Sequence, residues 1–209
     1  MNTQEKTLIL DLDGTVTTHS TWEVFNSALG ITVEQDKELF EQYRAGTLPY
    51  FDWIKKLVDL YKNNNAPLTK QQLIQLAEDI ELSPDAEDFV RTAQEKGYSV
   101  ALVSGSVDVL VETIANKLNI DSWLACSKAV FEDGTLIDLI SMGDEGPAKI
   151  KLVSKAGIIL SEDTISVGDG GNEKELFELT TGILIGDNQT LIPLAKMRAS
   201  SLTEAMSLI

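Results

Sequence analysis

The sequence predicts an α/β fold, a parallel sheet covered by helices on both faces, with a small helical bundle inserted after the first strand. Two observations carry this. Short buried-strand runs alternate with helix-length segments from Ser83 to the end, and the stretch from Ser20 to Ser83 is helical throughout. The sheet-bearing part is therefore residues 1–16 with 83–209, and the inserted bundle is 17–82.

Taken in order, Leu8–Leu10 form the first strand, because a continuous apolar run closed by a turn signal fits a strand buried on both faces. Helix starts in the insert are marked by three capping boxes, Ser20-x-x-Glu23, Thr32-x-x-Gln35 and Thr69-x-x-Gln72. Gly30 and Gly46 fall where helices should end. A further helix with Trp53, Leu57 and Leu60 follows Pro49 and is broken by KNNNAP. Four helices with short connections predict a bundle. Next, SPDAEDFVRTAQEKG is a helix with Ser83 as N-cap, Pro84 in its first turn and Gly97 at its end. YSVALVSGS is a strand, Val107–Leu118 a helix, and WLACSKAVFEDGTLID a strand and hairpin turning at Asp133-Gly134. Pro147–Lys155 is helical, TISVGDGGN runs from a strand into a Gly-rich loop, and Glu173–Leu179 is helical. GILIG is the last strand expected and Thr190–Met197 the last helix.

Composition narrows the function. A formal net charge of −16 argues against a nucleic-acid binder, which needs a basic face for phosphates. Cys126 is the only cysteine, so no internal disulfide forms; a reducing compartment and a small buried side chain are expected. No apolar run reaches membrane-spanning length and MNTQEKTLIL lacks signal-peptide features, so the expectation is a soluble cytoplasmic protein without a membrane partner.

The chemistry lies at the strand tips, where open parallel sheets bind ligands. Those tips carry Asp11 and Asp13, then Ser104-Gly105-Ser106, then Asp169-Gly170-Gly171-Asn172-Glu173, with Lys149 and Lys151 on the preceding helix. Asp11 and Asp13, two apart on a strand, point the same way and repel unless a positive charge or a proton lies between them. Acids suit Mg²⁺, a hydroxyl with N–H groups at a helix start cradles an anion, and a lysine offsets shared negative charge.

These residues resemble the four motifs of the haloacid dehalogenase (HAD) superfamily, most closely its phosphoserine-phosphatase-like branch: DLDGTVT, VSGS, a lysine and VGDGGNE, in that order. The helical segment falls where that branch carries its cap. The resemblance implies a Rossmann-like three-layer core and a Mg²⁺-dependent phosphatase acting on a small phosphomonoester. Asp11 would be the nucleophile, forming an aspartyl phosphate, and Asp13 the acid and then the base. Mg²⁺ would be held by Asp11, the Asp13 main-chain carbonyl, Asp169 and Glu173. Ser104 and Gly105, with Gly14 and Asn172, would hold the phosphate, and Lys149, with Lys151 as the alternative, would be the third-motif lysine. An acid at Asp13 favours turnover of the phosphoenzyme. A phosphotransferase or phosphomutase shares the intermediate, and a receiver-like phospho-acceptor module is the reading from another class.

Two departures from the family pattern bear on the site. The fourth motif ends in Glu173 where Asp is usual. The acid and arginine that hold the serine moiety in phosphoserine phosphatases align with Ser20 and Lys55, a point charge rather than a bidentate fork. Recognition of an amino-acid zwitterion is therefore expected to be weak. His19 reads as exposed loop polarity, and Trp22 and Trp53 as bundle core.

Overall fold

The structure, a computed structural model, describes residues 6–63, 67–143 and 145–209. The middle of the KNNNAP break and most of the MNTQEK stretch lie outside these. The chain opens with β1 (Lys6–Leu10), whose last three residues are buried. The insert follows as α1 (Thr21–Ala28), α2 (Val33–Arg44), α3 (Tyr50–Asn63) and α4 (Lys70–Asp79). Next come α5 (Ala86–Glu95), β2 (Tyr98–Val107), α6 (Asp108–Lys117) and the hairpin β3 (Ser122–Glu132) and β4 (Thr135–Ser141). The chain ends with α7 (Glu145–Lys155), β5 (Ile165–Gly168), a 3₁₀ turn (Gly171–Glu173), α8 (Lys174–Leu179), β6 (Thr181–Ile185), β7 (Met197–Ala199) and α9 (Leu202–Ala205).

The sheet order is β4-β3-β2-β1-β5-β6-β7, with every pair parallel except the β3–β4 hairpin. Strand β1 is central, with Leu10 registered against Leu102 of β2 and Val167 of β5. Three motif-bearing tips are thus neighbours. One core cluster unites Leu8, Leu10, Phe89, Ile114 and Leu102, and another covers the opposite face around Ile9, Val103, Val153 and Leu176. Each such fully buried side chain contributes roughly 1.5–3 kcal/mol by leaving water.

The insert has its own apolar centre, Trp22, Phe25, Trp53, Leu57 and Leu73, continuous with Leu110, Leu136 and Leu139. The hairpin is pinned to it by hydrogen bonds: the Tyr61 hydroxyl donates to Leu136 O at 2.5 Å, and the Leu136 N–H to Leu68 O at 2.8 Å. Asp133 and Gly134 both have positive φ, as a tight type I′ turn requires. Where the insert leaves and rejoins the sheet, the Ser83 N–H donates to Val16 O at 2.8 Å and the Ser83 hydroxyl to Thr15 O at 2.9 Å.

Three local expectations are corrected. The Thr32 and Thr69 capping boxes form in full, but the Ser20 side chain makes no cap; the Asp13 carboxylate occupies the first N–H of α1 instead. Ser83 does not cap α5, because its hydroxyl is used on Thr15; Asp85 stands at the cap position and its carboxylate accepts from the Thr203 N–H and hydroxyl. Thr190–Met197 is not a helix: turns run as far as Leu194, and Met197 already belongs to a strand paired with β6. A seventh strand and a short helix follow it.

Candidate active site

The carboxyl end of β1 places Asp11 between its two neighbours. Its N–H donates to Val167 O at 2.9 Å, extending the β1–β5 ladder by one residue and holding the buried carboxylate at the sheet edge. Lys149 reaches it from α7: fully buried, its Nζ donates to Asp11 Oδ1 at 2.6 Å and to Glu173 Oε1. Lys151, two residues on, is exposed. Asp11, Asp169 and Glu173 each present an oxygen within 4.8 Å of the others. Close approach requires glycines nearby. Gly14 has φ +78° and a Cβ there would run into the Asp169 carboxylate; a Cβ on Gly168 would meet Glu173.

Charge in this pocket does not balance. Burial pushes the Asp169 carboxyl up to about 6, and the neighbouring Asp11 carboxylate pushes it the same way. Glu173 is driven upward by burial, then by Asp11. Burial opposes the Lys149 ammonium, yet Asp11 and then Glu173 outweigh it and keep it charged. Three carboxylates therefore face one ammonium, and Glu173 Oε2 is buried without a hydrogen-bond partner among the described residues. A dication with a preference for hard oxygen ligands fits this deficit.

Asp13 is half-buried and lines a cavity with Asp169. Its two oxygens accept from the Thr21 N–H at 2.5 Å and the Thr21 hydroxyl at 3.1 Å. The same hydroxyl lies 2.5 Å from Ser106 Oγ, so Asp13, the start of α1 and the tip of β2 form one chain of contacts. Ser104 is buried at that tip, its Oγ accepting from the Ser106 N–H at 3.0 Å, with Gly105 buried between them. The Asp169 carboxylate accepts from the Thr15 hydroxyl at 3.4 Å, and its main-chain carbonyl from Asn188 Nδ2 at 3.1 Å.

Two cavities meet at Asp13 and Asn172. One, of ≈ 480 Å³, also touches Asp169, Gly170 and Arg44; the other, of ≈ 490 Å³, runs between α1, α2 and α3. Ser20 lines the second. Lys55 lines neither: it is exposed on α3, on the side turned from the cavity that Trp53 faces, because helix positions two apart diverge. A substrate contact was expected at Lys55, and neither of these cavities includes it. His19 is exposed, as expected of loop polarity. Trp22 and Trp53 are bundle core and cavity wall at once. Sequence reasoning passed over Thr21, Thr15, Asn188 and Arg44. Only Thr21 left a signal, as the first residue after an apparent cap.

Comparisons with known proteins agree with this geometry. A family profile described as hydrolase, haloacid dehalogenase-like hydrolase, matches residues 5–176. Phosphoserine phosphatase of Methanocaldococcus jannaschii is 28% identical over 183 residues, covering 85% of this chain and 83% of that protein. A 2-hydroxy-3-keto-5-methylthiopentenyl-1-phosphate phosphatase of Lysinibacillus sphaericus is 28% identical over 134 residues, 64% of this chain and 56% of that one. A solved phosphoserine phosphatase carrying an analogue of its phospho-aspartyl intermediate superposes with a TM-score of 0.77 at 27% identity, over 99% of this chain and 100% of that one. The chain belongs to the haloacid dehalogenase-like hydrolases. Within them it falls in the phosphoserine-phosphatase-like branch, which makes it a phosphoric monoester hydrolase.

Proposed function

We propose that this chain is a cytoplasmic, Mg²⁺-dependent phosphatase that cleaves a small phosphomonoester through an aspartyl phosphate on Asp11. The observation that carries this reading is the buried Lys149 bridging Asp11 and Glu173 beside Asp169. Lys149 engages Asp11 Oδ1, which leaves Oδ2 as the attacking oxygen. That oxygen bonds to phosphorus, the P–O bond to the leaving alcohol breaks, and Asp13 gives the alcohol its proton. Asp13 then takes a proton from water, whose oxygen attacks phosphorus; the acyl-phosphate P–O bond breaks, releasing phosphate and the Asp11 carboxylate.

Thr21 acts here as a positioning residue. A hydroxyl donates or accepts, so its contact with Asp13 persists whether that carboxyl holds a proton or not. Ser104 accepts from the Ser106 N–H, leaving its own proton for a phosphate oxygen, alongside N–H groups of Gly105 and Gly14 and the Asn172 amide. Asp11, the Asp13 carbonyl, Asp169 and Glu173 would hold Mg²⁺, which when bound supplies positive charge to the phosphoryl oxygens. Residues 17–82 act as a cap that limits substrate size and excludes water, hinged where Val16 and Ser83 pair.

The test is hydrolysis of an aryl phosphate by the purified protein with Mg²⁺, with EDTA, and as Asp11→Asn. Turnover should need Mg²⁺ and fall about 10⁴-fold in the variant. Equal rates in wild type and Asp11→Asn, or indifference to EDTA, would sink the reading.

A further inference from the structure

The ≈ 490 Å³ cavity between α1, α2 and α3 is more than hydrolysis of a compact ester requires. Pockets of roughly 300–1,000 Å³ take ligands with a substantial ring or chain. Its walls are Trp22, Trp53, Phe40 and Val33, and it opens onto Asp13, the group that protonates the leaving alcohol in the reading above. The Trp22 and Trp53 ring centroids lie 5.6 Å apart at 53°, and Phe40 lies 6.1 Å from Trp53.

Three polar atoms of residues that line the cavity are buried in the bundle behind it. Among the described residues, Trp22 Nε1, Trp53 Nε1 and Asn26 Oδ1 are buried without a hydrogen bond, on residues only 8%, 2% and 1% exposed. Buried indole N–H groups normally find an acceptor. Asn26 Nδ2 donates to Asp36 Oδ1 at 2.8 Å, which fixes its amide and ties α1 to the α2 carboxylate at the cavity. Asp36 and Glu23 border the cavity against one ammonium, Lys37, so a leaving group with a carboxylate is disfavoured there.

We propose that this cavity is the leaving-group pocket, and that the substrate is a phosphomonoester of an alcohol with an aromatic or extended apolar body, neutral or cationic. The proposal rests on the phosphatase reading and adds the substrate class to it.

Ethyl phosphate, 2-phenylethyl phosphate and phosphoserine share a primary alkyl leaving oxygen and separate these demands. The expected kcat/KM for 2-phenylethyl phosphate exceeds that for each of the others by tenfold or more. The ratio should shrink severalfold in Phe40→Ala, and in Val33→Glu, which places a charge at the cavity mouth; both residues are exposed enough for the bundle to tolerate the change. A second readout does not need turnover. Titrating the wild type with 2-phenylethanol should change tryptophan fluorescence saturably, and Val33→Glu should lose the response. A ratio near one, or phosphoserine as the better ester, overturns the pocket assignment and leaves the phosphatase reading standing. No turnover of any ester beyond Asp11→Asn overturns the phosphatase reading, and the fluorescence titration then decides the pocket alone: saturation upholds it and a flat response removes it.

Discussion

The floor and the roof of the cleft are built on different principles. On the floor, Asp11, Lys149 and the Asp169–Glu173 pair come from three separate segments and are locked together by buried charge at the tips of adjacent strands. The roof is one contiguous stretch of helices whose aromatic side chains pack on one another and where, among the described residues, Trp22 Nε1, Trp53 Nε1 and Asn26 Oδ1 have no hydrogen bond. Rigid strand tips suit a reaction that tolerates little displacement, whereas a helical lid can exchange wall residues without disturbing them. On the proposed reading, chemistry and selectivity are separable in this molecule. Thr21 is the point where they touch, since it begins the roof and holds Asp13 of the floor.

The strongest way to break this contrast is Lys149→Met. Removing the one cation from the floor leaves Asp11 and Glu173 facing each other in a buried pocket, at a cost of about 3–5 kcal/mol. Denaturant unfolding at pH 7 checks this, and lowering the pH should recover part of the loss as a carboxylate takes a proton. Stability equal to wild type would show that the floor is not held by charge.

The second prediction concerns pH. The Asp169 carboxyl sits at about 6 in the folded protein, against about 3.9 for an unfolded aspartate. The folded state therefore binds the extra proton between those values. The stabilisation is complete below about pH 4 and is lost as pH rises through about 6. With EDTA present, the thermal midpoint should climb as the pH is lowered from 7 to 5; Asp169→Asn should flatten the trend, and Mg²⁺ should raise the midpoint most at the upper end. A slope of the opposite sign would contradict the buried-acid account.

Thr21→Val tests the joint between the two regions. It removes the hydroxyl from Asp13 and Ser106 but keeps the backbone N–H. Expected is a fall in kcat of about tenfold, equivalent to about 1.4 kcal/mol, with KM little changed and the pH profile displaced. A rise in KM alone would assign Thr21 to substrate binding.

The smallest effects belong to the roof's helix ends. Thr32→Ala should cost about 1 kcal/mol, because both halves of its capping box form. Ser20→Ala should change stability by only a few tenths, since that side chain caps nothing. Equal losses in the two variants would mean that the α1 start is read wrongly.

Much of this was legible in the chain, and the exceptions share a cause. Periodicity and turn chemistry mark β1, the four insert helices and the Asp133-Gly134 hairpin, because each is decided within a few residues. The cap at Ser20 and the helix over Thr190–Met197 do not form, because longer-range partners intervene. The Asp13 carboxylate takes the Thr21 N–H at the start of α1 while the Ser20 side chain caps nothing, and the three-residue strand β7 exists only by pairing with β6. Lys149 and Lys151 look alike in sequence; burial on α7 separates them.

By itself the sequence determined the α/β alternation, the place of the helical insert and the set of acids, hydroxyl and lysine at the strand ends, since these depend on local pattern and residue chemistry. Only tertiary structure decided which groups meet. The order β2-β1-β5 makes three distant tips adjacent, Thr21 becomes the contact of Asp13, Lys55 is left outside the cleft, and two tryptophans expected as plain core also wall a cavity. Those outcomes depend on non-local packing and on the direction each side chain leaves its helix, and no short window of residues encodes either.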